Sequence, residues 1–352
     1  MAQGTDRRRT RLVSRSCCYG LALALLGCLL ASCGGSSSSS NTITLYNGQH
    51  EQTTDALVAR FEKLTGITVK VRSDDEEVFA SQINAEGSNS PADVLFTENS
   101  PPLEYLQEKG RLAPVARSTL ARTPARYNSP TGHWVGVSSR VSVLVYNTAL
   151  IPNSQLPTSI MQLADPKWKG KLALAPGETD FQPIVTSVAR SYGDAAALRW
   201  LQGLKANAGS SHTYPDNETL VDQVNRGQVA IGIINQYYWY RERAQVGQSG
   251  VHSAIAHLAA RDPGYVIDVS GAAVLKSSDH QAAGQKLLAF LVSAQGQQII
   301  ADTDSFEYPI ASGVSTAEPE TPLDKLQPNP INIAALGDGA TAVALLQKAQ
   351  LL

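Results

Sequence analysis

The sequence of 352 residues has no cysteine beyond position 33; all four, Cys17, Cys18, Cys28 and Cys33, fall in the first tenth of the chain. The remainder therefore has no disulfide framework, no zinc–thiolate site and no thiol nucleophile. Aromatic residues are scarce at 6%, and charged residues stand at only 17%. After the N-terminal stretch no apolar run reaches the length of a membrane span. A G-x-S-x-G elbow, a P-loop and an H-E-x-x-H pair are all missing, so nothing marks the chain as a turnover enzyme of those kinds. Internal repeats are absent as well, and low complexity is confined to one serine run.

The N-terminus has the form of a processing segment. Arg7, Arg8, Arg9, Arg11 and Arg15 precede an apolar stretch, Cys17 to Ala31, that is short for a bilayer. It ends in "LLASC", Leu29 to Cys33, followed by Gly34, Gly35 and five serines, and this resembles a bacterial lipobox. The expectation is a signal peptide over 1–32, lipidation at Cys33 and a flexible linker over 33–41, leaving an extracytoplasmic chain tethered to the cell membrane by its lipid alone. Residues 1–32 carry five of the 29 Lys+Arg and one of the 31 Asp+Glu, so their removal moves the net charge from −2 to −6. That acidity argues against nucleic acid or an anionic membrane surface as partner. The remaining length exceeds what one core usually covers, and two lobes are expected.

From Asn41 onward, strand-like and helix-like segments alternate, the pattern of an α/β protein. Strands are expected at 42–48, 67–72, 92–98, 141–147, 172–175 and 229–234. A helix carrying Leu57, Phe61 and Leu64 should end at Gly66, another should be capped by Asn217, and the last third should be mostly helical, including 284–301 and 342–352.

Ligands in open α/β sheets gather beyond the carboxyl ends of strands. His50 follows the first strand, Glu98 the third, and Tyr237 and Tyr238 follow 229–234, in a stretch read as a loop. Taken singly, each has an ordinary structural role to play: a turn histidine, a solvated carboxylate, half-buried aromatic packing. As a set they offer one imidazole, one carboxylate and two phenols, donors for a hard or borderline ion and not for a soft one. A phenol with a pKa of ~10 binds only an ion acidic enough to strip its proton at neutral pH. Ferric iron does this; calcium and magnesium do not.

"YNGQHE", "PADVLFTEN", "PKWKGK", "NQYYWY" and "SGAAVL" occur in an order and spacing that resemble the ferric-ion-binding proteins of bacterial iron ABC transporters, from about Thr42 to the C-terminus. The resemblance implies a two-lobed type II periplasmic-binding-protein fold, each lobe a mixed sheet flanked by helices and joined by crossing hinge strands. Residues 42–140 plus 266–316 would form the N-lobe and 141–265 plus 317–352 the C-lobe. It also implies ferric iron held by His50 and Glu98 from one lobe and by Tyr237 and Tyr238 from the other, in a monomer that delivers to ABC permease and ATPase subunits. Relatives complete the coordination with water and a synergistic anion: phosphate, carbonate or citrate.

Here the sequence departs from the pattern. The stretch matching the anion loop is "PGETDFQ", Pro176 to Gln182, which places Glu178, Thr179 and Asp180 where phosphate would sit. Two carboxylates there repel an anion. Asp180 is expected either to cap the helix that follows or to supply an oxygen to the metal. Thr179, Asn217 and Asn235 match the positions that contact the anion in relatives. Two rival functions stand beside this one: binding of another solute such as a polyamine, thiamine or phosphonate, and metal-assisted hydrolysis at His50 and Glu98.

Overall fold

Among the described residues nine strands form, most of them where β-branched and aliphatic residues cluster: β1 (Thr42–Gly48), β2 (Thr68–Ser73), β3 (Val94–Thr97), β4 (Val135–Asn147), β5 (Leu172–Ala173), β6 (Ile231–Asn235), β7 (Ser253–Ala256), β8 (Ile267–Val274) and β9 (Tyr308–Pro309). The structure is a computed structural model that describes residues 41–352 apart from 315, 317, 319 and 320. The expected leader, Cys33 and the linker up to residue 40 lie outside the described residues. Ser40–Leu352 gathers into one compact unit.

The sheet runs β2-β1-β3-β8-β4-β6-β5, with β7 and β9 both on β4. β1 lies parallel to β2 and β3, so the carboxyl ends of β1 and β3 emerge at the same edge. β8 then runs antiparallel to both β3 and β4. β4 is the long member, and all thirteen of its residues are buried. Its first half pairs with β8 and β9, its second half with β6 and β7. One continuous strand therefore links the two halves of the sheet, as a crossing hinge strand does. In register, Arg140 faces Asp268 of β8 and Ser142 faces Asn235 at the end of β6. The middle of β4 thus sits beside the carboxyl end of β6 and, with β8 between them, near that of β3, which fixes where a site can form.

A bulge interrupts β4 between Gly136 and Ser138. A Cβ at Gly136 would lie 2.2 Å from the Tyr127 carbonyl and 3.0 Å from both Ile310 and Val269. Since the carbonyl is backbone and cannot swing away, Gly136→Ala is expected to lower the unfolding free energy by about 1–3 kcal/mol, read by urea denaturation.

The helices follow the expected periodicity with instructive shifts. Helix Glu51–Thr65 buries Leu57, Val58 and Phe61 and ends at Gly66 in the left-handed region, but Leu64, in its last turn, is exposed. The expected single helix over 284–301 is two helices, Gln281–Leu291 and Ala294–Asp302, because the Ser293 hydroxyl accepts from the Gly296 N–H and starts a new one. The last helix is Ala340–Lys348. Asn217 is not a cap: Asp216 is, its carboxylate accepting from the Thr219 N–H at 2.7 Å. The tyrosine stretch is not a loop either. It is the first turn of helix Gln236–Val246, entered through Asn235 in extended conformation, and its aromatic residues are buried by β4 and β7 instead of hanging free. No helix among the described residues is long and apolar enough to cross a membrane.

Candidate metal centre

The four residues expected as ligands converge. The Tyr237 hydroxyl lies 2.9 Å from both Glu98 Oε1 and Asp180 Oδ2, with one hydrogen to donate between them, and the Tyr238 hydroxyl donates to the same Asp180 oxygen at 2.9 Å. His50 Nε2 lies 3.0 Å from Glu98 Oε1. The two phenol rings lie side by side, centroids 4.1 Å apart, and the His50 ring stands edge-on to Tyr237 at 5.2 Å. In an octahedron with bonds of ~2.1 Å, neighbouring ligand atoms are ~3.0 Å apart. The chain His50–Glu98–Tyr237–Asp180–Tyr238 has that spacing at every step.

Local structure holds each donor in place. Glu76, buried at the start of helix Glu76–Glu86, accepts from the backbone N–H of Glu98 at 2.7 Å and of Asn99 at 2.8 Å, and from Asn99 Nδ2 at 2.8 Å. This aims the Glu98 side chain, and it requires glycine at 48, where a Cβ would meet the Glu76 Cβ at 2.6 Å. His50 Nδ1 sits 2.5 Å from Gln49 Oε1, and the Gln49 amide is oriented by Ser270 Oγ at 2.9 Å and by Glu307 at 3.4 Å. With Nδ1 as donor, the Nε2 lone pair points at Glu98, an arrangement that wants a proton or a metal between them.

Sequence reasoning missed the cation beneath the site. Arg140 of β4 is fully buried and reaches Glu307 Oε1 at 3.1 Å, Asp180 Oδ1 at 3.3 Å and Glu98 Oε1 at 3.8 Å. Glu307, buried and bonded also by the Ser138 hydroxyl, was missed with it. The donor atoms of His50, Glu98 and Glu307 all lie within 4.8 Å of one another. Arg241, one turn along from the tyrosines, stacks over the Tyr237 ring at 4.7 Å. The one available signal for Arg140 was a charged residue in an otherwise uncharged stretch from Val135 to Asn147.

Electrostatics follow from this crowding. Burial, then Asp180 and Glu98, push both phenols well above their ordinary pKa. Burial raises Glu98 to about 7 against the opposing pull of Arg140, and burial with Asp180 nearby raises Glu178 to about 8. His50 is lowered to about 3 by burial and by Arg241, so its imidazole is neutral. For Arg140, burial works against the charge, but Glu98, Glu307 and Asp180 outweigh it. The site is short of positive charge.

The expected anion contacts are occupied differently. Asp180 does not cap the helix Phe181–Tyr192: its own backbone is helical, φ −56 and ψ −24, and its carboxylate makes no cap bond. The Thr179 hydroxyl accepts from Asn99 Nδ2 at 2.8 Å. The Asn217 backbone amide opposes the upward shift of Glu178. Asn235 is buried, with Nδ2 unpartnered. Above them opens a cavity of about 600 Å³ whose lining includes His50, Glu76, Glu77, Glu98 and Glu178.

A hinge strand shared by two sheet halves, with ligand-grade side chains at the strand ends beside it, defines a type II periplasmic binding protein. The family model for bacterial extracellular solute-binding proteins matches residues 47–298, and the chain belongs to that family. It is 35% identical over 332 residues, 94% of this chain and 97% of the relative, to the Fe(3+)-binding periplasmic protein of Serratia marcescens. Among solved structures it is similar to iron-bound HitA from Pseudomonas aeruginosa, at 39% identity and TM-score 0.83 over 88% of this chain and 99% of that one. Trichodesmium IdiA (FutA), in complex with iron and citrate, is 29% identical with TM-score 0.75 over 88% and 99%.

Proposed function

We propose that this protein captures ferric iron in a cleft between two lobes, 42–140 with 266–316 and 141–265 with 317–352, and delivers it to the permease and ATPase subunits of an ABC importer. His50 and Glu98 serve from the first lobe, Tyr237 and Tyr238 from the second. The observation that carries this reading is the Tyr237 hydroxyl, 2.9 Å from Glu98 after β3 and 2.9 Å from Asp180 before the helix Phe181–Tyr192. Donors from distant parts of the chain meet at one phenol. Ferric iron enters as cargo, the phenols would release their protons to solvent as their oxygens bind it, and the neutral His50 imidazole offers Nε2 without first losing a proton. Closure of the lobes is a minor state that the bridging ion stabilises. Lipid attachment at Cys33 would hold a monomer near its transporter and raise its effective concentration.

Chelator-stripped protein is expected to turn orange-red on ferric addition through phenolate-to-metal charge transfer. Loading displaces the protons of Tyr237 and Tyr238, and below pH 7 that of Glu98 too. Affinity referred to the free ion should therefore rise by about 100-fold per pH unit above pH 7, and more steeply below it. Competition against a chelator at pH 6, 7 and 8 measures the slope. A colourless titration at every pH would remove the iron reading.

A further inference from the structure

We propose that Gln49 is a positioning residue that fixes the tautomer of His50: it keeps the ring hydrogen on Nδ1, so that Nε2 faces the cleft as a bare lone pair before any ion arrives. This rests on the iron reading above and deepens it, by naming what readies the nitrogen ligand.

A neutral imidazole has one ring hydrogen to place, and the partner of one nitrogen decides what the other can do. His50 Nδ1 lies 2.5 Å from Gln49 Oε1, and the His50 backbone N–H donates to the same oxygen at 2.7 Å. An oxygen there draws the hydrogen onto Nδ1. An amide nitrogen there would draw it onto Nε2 and block the ligand position. Which end of the amide faces His50 is therefore decisive, and its neighbours determine it. Ser270 donates its hydroxyl hydrogen to the Thr97 carbonyl at 2.7 Å, so toward Gln49 Nε2, 2.9 Å away, it can only accept. Glu307 is paired with Arg140 at 3.1 Å and takes the Ser138 hydroxyl, so its oxygens, both 3.4 Å from Gln49 Nε2, accept as well. A flipped amide would set its oxygen against these acceptors and its N–H against the His50 backbone N–H. Every neighbour rejects it.

The backbone is held too. Gln49 is buried; Asn47 Nδ2 donates to its carbonyl at 2.6 Å, and Asn47 Oδ1 accepts from its N–H at 3.2 Å. Thr54 of helix Glu51–Thr65 donates to that same Oδ1 at 2.7 Å and ties the turn to the helix. Gln49, His50, Ser270 and Glu307 all fall in the segments assigned above to the first lobe, so the arrangement does not wait for closure. The contact pulling the other way is Glu98 Oε1, 3.0 Å from Nε2, and the Tyr237 hydroxyl shares that oxygen and weakens its hold. Space-filling alone does not account for an amide whose contacts all run in one direction.

Nuclear magnetic resonance of the iron-free protein at neutral pH, with its histidine ring nitrogens isotopically labelled, reads the tautomer directly. The His50 signals are those missing from His50→Asn. Wild type is expected to carry the hydrogen on Nδ1. Gln49→Leu removes the acceptor, so the hydrogen should move to Nε2 to serve Glu98. Its ferric affinity should fall about 10–100-fold, the usual cost of losing such a partner, while the orange-red band persists because both phenols remain. Exchanging the pair, Gln49→Glu with Glu307→Gln, keeps an acceptor at Nδ1 and should restore both the tautomer and most of the affinity. An iron-free wild type with its hydrogen on Nε2 overturns the inference. So does a Gln49→Leu protein, shown folded by circular dichroism, that keeps the wild-type tautomer, whatever its affinity. If Gln49→Leu does not fold, the wild-type signals and the exchanged pair still decide. A wild type that stays colourless with ferric iron would instead defeat the underlying iron reading.

Discussion

Protein carrying Tyr237→Phe together with Tyr238→Phe should stay folded, remain colourless on ferric addition and bind ferric iron at least ~10⁴-fold more weakly. The fold survives because both rings stay: their contact at 4.1 Å, their burial and the seat of Arg241 over Tyr237 depend on carbon, not on the hydroxyls. What is lost is the pair of anionic oxygens. Outer partners of metal ligands are commonly worth 10–100-fold in affinity, and direct anionic ligands are worth more, so two of them together reach ~10⁴. The selectivity argument gives the same sign. Burial beside Asp180 and Glu98 makes these phenols harder to ionise than a free tyrosine, so only a small, highly charged ion in direct contact removes their protons. Visible spectra and chelator competition measure the loss, with circular dichroism confirming the fold. If the double variant kept its colour and affinity, the phenols would not be ligands. A polyamine- or phosphonate-binding protein of the same fold would be little affected by the change, so the variant separates those functions from iron capture.

How much of this was legible in the sequence depended on whether a residue's signal was local. The ends of β1, β3 and β6 could be read from short apolar runs, and His50, Glu98 and the tyrosine pair lie directly after them. Lone residues with bland local readings became a site only because parallel β1 and β3 emerge at one edge and antiparallel β4 brings β6 alongside. Arg140 was not legible, since its meaning comes from Glu98, Asp180 and Glu307, which lie 42 residues before it, 40 after and 167 after along the chain. Asn217 was read as a helix cap, and Asp180 as either a cap or a supplier of an oxygen to the metal, from identity and position. In neither case is the residue a cap: Asp216 has the extended backbone a cap needs, φ −146 and ψ 164, whereas Asp180 is already helical and turns its carboxylate inward. The tyrosines read as a loop because helix propensity is weak for aromatics, while the burial of that first turn against β4 decides the matter.

Arg140→Met is expected to lower the unfolding free energy of the iron-free protein by about 3–5 kcal/mol, the usual range when one partner of a buried ion pair is removed. Methionine fills much of the same space, so the effect is electrostatic: Glu98, Asp180 and Glu307 would be left in a buried pocket without the guanidinium that now touches all three. Glu98 and Asp180 can be supplied with positive charge from another source, the ferric ion itself. Glu307 gains less, because its oxygens already accept from Ser138 and Gln49. The deficit should therefore shrink on loading with iron without vanishing. Adding Glu307→Gln to Arg140→Met should recover part of the loss in the iron-free protein, since an amide in that position needs no counter-charge. Urea denaturation of the wild type, both single variants and the double variant, each with and without iron, measures all of these differences. Equal stability of wild type and Arg140→Met without iron would mean that the carboxylates are neutral there and that Arg140 adds no net stability.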